Sequence, residues 1–147
     1  TKRFPNAKAM SVNLTPAFEE LYKTFDVKDD EFPSEKLAFA NTRSRLRMLT
    51  LYYYGQINSL LVCGTGNKVE DFGIGFYTKY GDGGVDVSPI ADLYKTEVYE
   101  LARALNLVES IQNAIPTDGL WDVERTDEQQ IGATYPELEK IQKEWGT

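Results

Sequence analysis

Histidine is absent from this chain of 147 residues. Its absence excludes Ser-His-Asp triads, histidine-ligated zinc and imidazole acids or bases, and leaves carboxylate, ammonium, guanidinium and hydroxyl chemistry. Cysteine occurs once, at Cys63, which excludes a disulfide framework and predicts a reduced, cytoplasmic compartment. Because Cys63 lies in an apolar run, we interpret it as a small buried hydrophobe.

Long apolar runs and a signal peptide are also missing, so we expect no membrane partner. The net charge of −7 provides no positive field for a phosphate backbone, so we expect no nucleic-acid partner. A hydrophobic content of 41% and an aromatic content of 12% are typical of a soluble globular protein. The length predicts a single domain.

The stretch from Leu60 to Asp86 carries the clearest functional pattern. Its short apolar run, Leu60–Cys63, predicts a buried strand, and from Gly64 onward the composition changes to glycine, hydroxyl and charge. In an open α/β sheet such a change marks the carboxyl end of a strand, where ligands bind. Five glycines between Gly73 and Gly84 allow tight turns and a close approach of the backbone to a ligand.

Four side chains in and just beyond this stretch suit a nucleoside triphosphate with Mg²⁺: Thr65, Glu70, Lys79 and Lys95. The hydroxyl would position the ligand, the carboxylate would hold the metal and the ammonium groups would neutralise phosphate oxygens. Lys95 falls in the first turn of a predicted helix, where a cation is disfavoured unless an anion binds there. The structural alternative is that the glycines form turns and the lysines are solvated. Neither a P-loop nor a dinucleotide-binding glycine motif is present.

The remaining pattern predicts an incomplete β/α alternation, with a partial parallel sheet covered by helices. A strand is predicted over Ala9–Leu14 and an exposed acidic loop over residues 26–36. The predicted helices are Thr15–Phe25, capped by Thr15; Leu37–Tyr54 with a stop at Gly55; Asp92 or Leu93 to Leu105; a short helix that a capping box at Thr126 opens and Gly132 closes; and a last amphipathic helix from Pro136 with Leu138, Ile141 and Trp145 on its apolar stripe.

The long helix at residues 37–54 supports two further predictions. Arg43 and Arg47 are four residues apart and share a face, whereas Arg45 points nearly opposite. Its second half, with the consecutive tyrosines Tyr52–Tyr54, is apolar around too much of its circumference for a one-sided surface helix. We therefore expect a homodimer whose interface covers part of this helix.

Several phrases of the sequence together resemble the synthetase domain of the NAD synthetase family. They are NTRSRLRM at 41–48, GTGNKVE at 64–70, FYTKYGDGGVD at 76–86 and PIADLYK at 89–95, followed by PTDGLW and TDEQQIGATY. The phrases occur in the family's order, and the match covers about residues 9–140. The combination of TKYGDGG with the preceding GT, Asn67 and Glu70 is its most specific part.

The resemblance implies an α/β, adenine nucleotide α-hydrolase-like fold and a homodimeric ATP pyrophosphatase. It further implies a ligase of NAD biosynthesis that uses ATP and Mg²⁺ to adenylate deamido-NAD and release pyrophosphate. Ammonia, free or derived from glutamine, would then displace AMP. Adenylation is needed because a bare carboxylate is a poor acyl donor.

The resemblance also implies roles for seven residues, with no catalytic base among them. Thr65, Lys95 and Thr117 would contact ATP, and Glu70 would coordinate Mg²⁺. Arg45, Lys79 and Asp86 would bind deamido-NAD near the subunit interface. Two structural alternatives stay open: a turn cap after Pro116 for Thr117, and a turn or helix cap for Asp86.

The chain departs from the family pattern in three places. The S-G-G-x-D-S loop that cradles pyrophosphate and a histidine-lysine pair near the C-terminus are missing, and the spacing from Glu70 to Lys79 is one residue longer than in the common bacterial pattern. We therefore interpret residues 1–147 as the C-terminal portion of one synthetase domain, inactive alone. Two alternatives remain: another ATP pyrophosphatase amide ligase, acting on a nucleotide or amino acid, and a non-catalytic nucleotide-binding or dimerisation module.

Overall fold

A computed structural model describes residues 4–25, 33–121 and 125–145, which form helices joined by extended loops. The α-helices of this described part are α1 (Thr15–Thr24), α2 (Pro33–Asn58), α3 (Lys95–Ala104), α4 (Glu109–Gln112), α5 (Asp127–Ile131) and α6 (Tyr135–Trp145). A π-helix, Lys68–Ile74, lies between α2 and α3. Within these ranges no helix combines the length and the apolar character that a membrane crossing requires.

One parallel bridge, between Cys63 and Val87, is the sheet-like feature of the described residues. The amide of Gly64 donates to the Val87 carbonyl at 2.7 Å, which fixes the two extended segments side by side. Neither predicted strand, at 9–14 or at 60–63, is formed in the described part of the chain, so the partial sheet is not confirmed.

Side chains around the bridge nevertheless alternate as they would in a strand. Val62 is buried, whereas Leu61 and Cys63 are exposed. The prediction of a buried cysteine is therefore wrong, because a period of two places Cys63 on the opposite side from Val62.

Helix α2 is longer than predicted at both ends. Residues 33–36, predicted as part of an acidic loop, form its first turn, and the rest of that predicted loop, 26–32, lies outside the described residues. At the other end α2 continues through Gly55 to Asn58. The predicted stop at Gly55 is wrong. The turn that follows α2 is instead made at Ser59, whose φ is 53°.

Gly55 serves a close approach of two backbone segments. Its carbonyl accepts a hydrogen bond from the amide of Leu60 at 2.8 Å. A Cβ at this position would lie 3.1 Å from the Leu60 carbonyl oxygen. The glycine lets the chain leave α2 and return directly toward the Cys63–Val87 bridge.

Helix α1 packs against α2 through aromatic rings. Phe18 and Tyr22 lie 5.8 Å and 4.8 Å from the ring of Phe39, measured between centroids. The predicted helix is confirmed, but Thr15 is its first residue and not its cap. The side chain of Asn13 accepts the hydrogen bond from the Thr15 amide at 3.0 Å.

The predicted apolar stripe of α6 is wrong. Ile141 and Trp145 are exposed, and the buried residues of this helix are Tyr135, Glu139 and Gln142. The spacing of these three still places them on one face of the helix. That face packs against the π-helix and α3, so a largely polar surface holds α6 in place.

The loop at residues 78–84 is tied to α2 by buried polar groups. The hydroxyl of Ser44 donates to the Asp82 carboxylate at 2.8 Å and accepts from the Asp82 amide at 3.0 Å. Thr78 donates its amide to the same carboxylate and its hydroxyl to Asn41 Oδ1, at 2.9 Å and 2.7 Å. A Cβ on Gly81 would collide with Ser44. The loop therefore has a fixed position relative to the middle of α2.

We predict that Ser44→Ala lowers the free energy of unfolding by about 2 kcal/mol, because it removes both hydrogen bonds between Ser44 and Asp82 and leaves the Asp82 amide without its acceptor. Thr50→Ala is the matched control, since the Thr50 hydroxyl bonds only to the Leu46 carbonyl of its own helix. Urea denaturation of both variants provides the measurement. Equal losses in the two variants would contradict the anchoring role.

Candidate functional site

The structure brings Glu70 and Lys95 together, although they are 25 residues apart in the chain. Lys95 Nζ lies 2.8 Å from Glu70 Oε1, and their side chains are 18% and 13% exposed. The two charges thus form a largely desolvated ion pair. Such a pair needs further hydrogen bonds to offset the loss of water.

The backbone at Glu70 is fixed by the start of the π-helix. Asn67, which is fully buried, accepts hydrogen bonds from the amides of Val69 and Glu70 through its side chain, at 3.0 Å and 3.1 Å. The Lys68 amide donates to the Leu93 carbonyl at 2.9 Å, which joins this loop to the chain just before Lys95. The Asn67 cap and the hydrogen bond between Lys68 and Leu93 therefore bring the side chains of Glu70 and Lys95 into contact.

Tyr135 on α6 completes the ion pair. Its hydroxyl lies 2.6 Å from Glu70 Oε1, the same oxygen that Lys95 contacts, and Lys95 Nζ lies 4.7 Å from the centre of its ring. The hydroxyl also lies 3.2 Å from Asp127 Oδ2. A phenol has one proton to donate, and the shorter contact favours Glu70 as its acceptor.

The electrostatics of the cluster keep Glu70 ionised. Burial alone would raise the pKa of Glu70, but hydrogen bonds from Lys95 and Tyr135 and the charge of Lys95 together lower this pKa below its ordinary 4.5. Burial, the hydrogen bond to Glu70 and the Glu70 charge raise the pKa of Tyr135, which stays a neutral donor. Burial likewise raises the pKa of Asp127 above its ordinary 3.8.

The predicted anion site at the start of α3 is occupied by carboxylates of the protein. Lys95 lies in the first turn of α3, as predicted, although the helix begins at Lys95 itself and not at Asp92 or Leu93. The amide of Tyr94 donates to Glu97 at 2.7 Å, and the amide and hydroxyl of Thr96 donate to the two oxygens of Glu139 at 3.0 Å and 2.7 Å. Negative charge thus meets the positive end of the helix, supplied from within the chain.

The residues expected to bind deamido-NAD lie at a second location. Arg45 donates from Nε to the Lys79 carbonyl at 3.1 Å, and the Lys79 ammonium lies 5.1 Å from the centre of the Tyr80 ring. Both cations are exposed and sit on the anchored 78–84 loop or next to it. In the described part of the chain no contact joins Lys79 to Glu70 or Lys95.

Asp86 has structural partners at both oxygens. Tyr52 donates its hydroxyl to Oδ1 at 3.0 Å, and the Val62 amide donates to Oδ2 at 2.7 Å. Thr117 forms a turn contact, since its hydroxyl oxygen accepts from the Gly119 amide at 3.1 Å. The turn contact is the structural alternative left open for Thr117, whereas the partners of Asp86 belong to α2 and to the segment at Val62 and form neither a turn nor a helix cap. Thr65 is exposed next to the Cys63–Val87 bridge.

The predicted division of the arginines on α2 is confirmed by their contacts. Arg47 donates to the carbonyls of Asp118 and Gly119 at 3.2 Å and 2.7 Å, and Arg43 donates to the Leu120 carbonyl. Arg45 points to the Lys79 loop instead. One face of α2 thus holds the segment that carries Thr117, and the opposite face holds the segment that carries Lys79.

Sequence reasoning missed three residues that shape the site, Asp127, Tyr135 and Glu139, and it named Asn67 as part of a motif without giving it a role. The predicted capping box at Thr126 and the stop at Gly132 are confirmed, which places Asp127 at the first position of α5. The short helix followed by a tyrosine was visible in the sequence. Its link to Glu70 was not, since the contact spans 65 residues.

Among residues 4–25, 33–121 and 125–145, no three acidic or sulfur side chains gather into a ready metal cage. Mg²⁺ does not require one, because it retains several waters and is commonly held by one or two carboxylates together with substrate phosphates. Glu70 fits that pattern, since it is ionised and the contacts from Lys95 and Tyr135 fall on the same oxygen, Oε1.

Comparison with solved structures defines the class of protein to which this fold and site belong. The chain is similar to an NMN synthetase from Francisella tularensis, with a TM-score of 0.82 and 33% identity over 94% of this chain and 55% of that one. It is also similar to an NH3-dependent NAD synthetase from Campylobacter jejuni, with a TM-score of 0.59 and 33% identity over 69% of this chain and 41% of that one. The fold is that of the NAD and NMN synthetases, whose architecture is adenine nucleotide α-hydrolase-like.

Sequence comparison then gives the family. The profile of the family described as NAD synthase matches residues 5–145, so the chain belongs to that family. NH(3)-dependent NAD(+) synthetases from Mesoplasma florum and Carboxydothermus hydrogenoformans are each 46% identical to it, over 90% and 91% of this chain. The chain spans about half of their length, namely 52% and 54%.

We predict that Glu70→Gln lowers the free energy of unfolding at pH 7 by about 2 kcal/mol, since it leaves Lys95 buried without a counter-charge. Because the pKa of Glu70 is lowered on folding, its contribution is complete above pH 4.5 and is lost as the pH falls below that value. Urea titrations at pH 7 and pH 4 should therefore show a smaller difference between variant and wild type at pH 4.

Glu20→Gln is the control for this prediction. Glu20 pairs with Lys23, but its side chain is 72% exposed, so its loss should leave stability nearly unchanged at both values of pH. A pH-independent difference for Glu70→Gln would show that the ion pair does not stabilise the fold.

Proposed function

We propose that this chain is the C-terminal portion of a single ATP pyrophosphatase domain, and that the enzyme containing it is a ligase that amidates deamido-NAD to NAD. The observation that carries the proposal is the Glu70–Lys95 pair, which the fold assembles from two motifs of the NAD synthase family. The names of the relatives support ammonia as the nitrogen donor. ATP and deamido-NAD are the other substrates.

The reaction has two balanced steps. An oxygen of the nicotinate carboxylate attacks the α-phosphorus of ATP, the bond to the β-phosphate oxygen breaks, and pyrophosphate leaves. Ammonia then attacks the activated acyl carbon, AMP leaves with the carboxylate oxygen, and a proton is released to water. Both steps build negative charge on phosphate oxygens, so cationic groups fixed nearby lower the barriers.

The Glu70–Lys95 pair supplies the protein's part of this charge balance. Lys95 would place its ammonium against the phosphates of ATP, and Glu70 would hold Mg²⁺ as one ligand among waters and phosphate oxygens. The metal would supply electrostatic stabilisation of the leaving pyrophosphate. Thr65, exposed beside the bridge, and Thr117, on the segment held by Arg43 and Arg47, would contact the nucleotide as it spans these loops.

Deamido-NAD would bind at the second location, on the anchored 78–84 loop. Arg45 and Lys79 are both cationic and exposed there, which suits the pyrophosphate of a dinucleotide. Asp86 would border this site, with its two oxygens already held by Tyr52 and Val62. Two separate locations suit a reaction of two substrates, ATP and deamido-NAD, that meet at the nicotinate carboxylate.

A larger domain would explain the uncovered apolar surface around the bridge. Leu61 and Cys63 point outward from the extended segment, and Leu61 is 71% exposed. We propose that this segment and the one at Val87 pair with further strands of a parallel sheet in the synthetase domain. We also propose a cytoplasmic location, because a chain with a single cysteine cannot form the disulfide framework that is typical of small secreted proteins.

A second candidate is an amide ligase that acts on a mononucleotide. It is favoured by the likeness to the solved NMN synthetase. Such a substrate lacks the adenylate half of deamido-NAD, so it would depend less on Arg45 and Lys79. Rates with deamido-NAD and with the corresponding mononucleotide acid separate the two candidates.

We predict that Glu70→Ala in the intact enzyme lowers Mg²⁺-dependent pyrophosphate release from ATP and deamido-NAD by about 100-fold or more, because it removes the proposed metal ligand. Glu20→Ala, on the exposed side of α1, should keep the wild-type rate. A coupled pyrophosphate assay gives the measurement. Unchanged release in Glu70→Ala would show that the metal role is misassigned, and no release by the wild type would favour the non-catalytic module.

We also propose a homodimer whose interface lies on α2. Leu49, Tyr53 and Ile57 follow one another at four-residue spacing and are 61%, 60% and 59% exposed. Tyr52 and Tyr54 are only partly exposed, and Tyr52 is bonded to Asp86. Of the three consecutive tyrosines that led to the dimer prediction, only Tyr53 therefore belongs to the exposed stripe.

We predict that the double variant Leu49→Asp, Tyr53→Asp sediments as a monomer at micromolar concentration while the wild type sediments as a dimer, because two buried carboxylates would disfavour association. Trp145→Asp, at an exposed aromatic on α6, is the matched control and should stay dimeric. A monomeric wild type would rule out the interface.

A further inference from the structure

The inward face of α6 is polar where an apolar face is the ordinary solution. Tyr135, Glu139 and Gln142 are all buried, and each turns toward an element that carries part of the ion pair. Glu139 holds the first turn of α3 through Thr96, and Gln142 lies against Gly73 of the π-helix. Burying polar groups is unfavourable unless they have partners, so this face needs a reason beyond helix packing.

We infer that Tyr135 and Asp127 are positioning residues for the metal-binding carboxylate, an inference that rests on the proposed role of Glu70. The hydroxyl of Tyr135 and the ammonium of Lys95 converge on Oε1 of Glu70, at 2.6 Å and 2.8 Å. Two donors on one oxygen fix the rotation of the carboxylate. Oε2 is then the oxygen that can be offered to the cation.

Tyr135 also holds the other member of the pair. The Lys95 ammonium lies 4.7 Å from the centre of its ring, within the range of a cation–π contact. One side chain thus contacts the acid through its hydroxyl and the base through its ring face. Phenylalanine at this position would keep the second contact and lose only the first.

Asp127 places the hydroxyl of Tyr135. It is only 7% exposed, its Oδ2 lies 3.2 Å from the tyrosine oxygen, and its Oδ1 is buried without a hydrogen-bond partner in the described residues. An unpaired buried carboxylate oxygen destabilises a fold. One oxygen of Asp127 thus lies against the residue that contacts Glu70 and the other has no partner, an arrangement typical of a layer that orients a metal ligand.

The test measures metal binding directly in the intact enzyme. Mn²⁺ is titrated in the presence of a non-hydrolysable ATP analogue, and its dissociation constant is read from water-proton relaxation. Tyr135→Phe should weaken Mn²⁺ binding about tenfold, the usual effect of losing an orienting hydrogen bond. Tyr22→Phe removes the same hydroxyl from α1 and should leave the constant unchanged.

Two measurements separate positioning from a merely structural role. The half-saturating Mg²⁺ concentration of the reaction should rise in Tyr135→Phe by the same factor as the Mn²⁺ dissociation constant. Both are measured well below the thermal midpoint, which the loss of a buried hydrogen bond will lower. Asp127→Ala should shift both constants in the same direction, whereas Asp127→Asn, whose side-chain amide can donate to the phenol oxygen, should shift them less. The Asp127 variants decide the question if Tyr135→Phe does not fold.

The outcomes distinguish this inference from the proposed function. Wild-type Mn²⁺ binding that Glu70→Ala abolishes and Tyr135→Phe leaves intact would overturn the positioning role alone. Wild-type binding that Glu70→Ala does not alter would overturn the metal role of Glu70 and the inference with it.

Discussion

The contact between Glu70 and Lys95 is the interaction on which the rest of the described structure depends. It joins the π-helix to α3, and through Tyr135 it joins both to α6. A buried ion pair is stabilising only when the remaining donors and acceptors of its members are also satisfied. Here Asn67 fixes the backbone of the acid, and the phenol satisfies the oxygen that the ammonium contacts. The pair proposed to act on ATP and the metal therefore also holds three elements of the fold together.

A polar interior follows from this arrangement. In the described residues the buried set includes Ser44, Asn67, Thr78, Asp127, Glu139 and Gln142 beside a small number of apolar side chains. These groups fix loops and helix ends to one another through directional hydrogen bonds. Large apolar side chains are instead exposed on α2 and around the Cys63–Val87 bridge, which is the pattern expected of surfaces covered by other parts of an enzyme.

Local patterns in the sequence predicted the local structure well. Thr126 and Gly132 mark the ends of α5, and the four-residue spacing of Arg43 and Arg47 predicts that they share a target. The strand predictions failed because an apolar run becomes a strand only when it pairs with neighbouring strands. In the described residues this pairing is limited to the bridge between Cys63 and Val87. The Gly55 stop failed because a glycine that permits close approach looks the same in a sequence as one that ends a helix.

The candidate site was predictable only in part. Motifs gave Glu70 and Lys95, and the structure brings them into contact. Tyr135 and Asp127 could not be found in this way, because pairing over 65 residues depends on tertiary packing and leaves no spacing to detect. The occupied start of α3 was missed for the same reason, since the carboxylate that fills it comes from a distant helix.

The π-helix lies within the segment from Glu70 to Lys79, which the family resemblance predicted to be one residue longer than the common bacterial pattern. A π-turn closes over five residues instead of four, so it absorbs one added residue without breaking the helix. The Gly75 amide makes such a bond to the Glu70 carbonyl. Deleting one residue between them would turn this π-turn into an ordinary α-turn, which closes over four residues and leaves the downstream chain in the same orientation relative to Glu70. The segment between Glu70 and Lys79 can therefore differ in length by one residue while the anchored loop that follows keeps its place, because the turn takes up the difference.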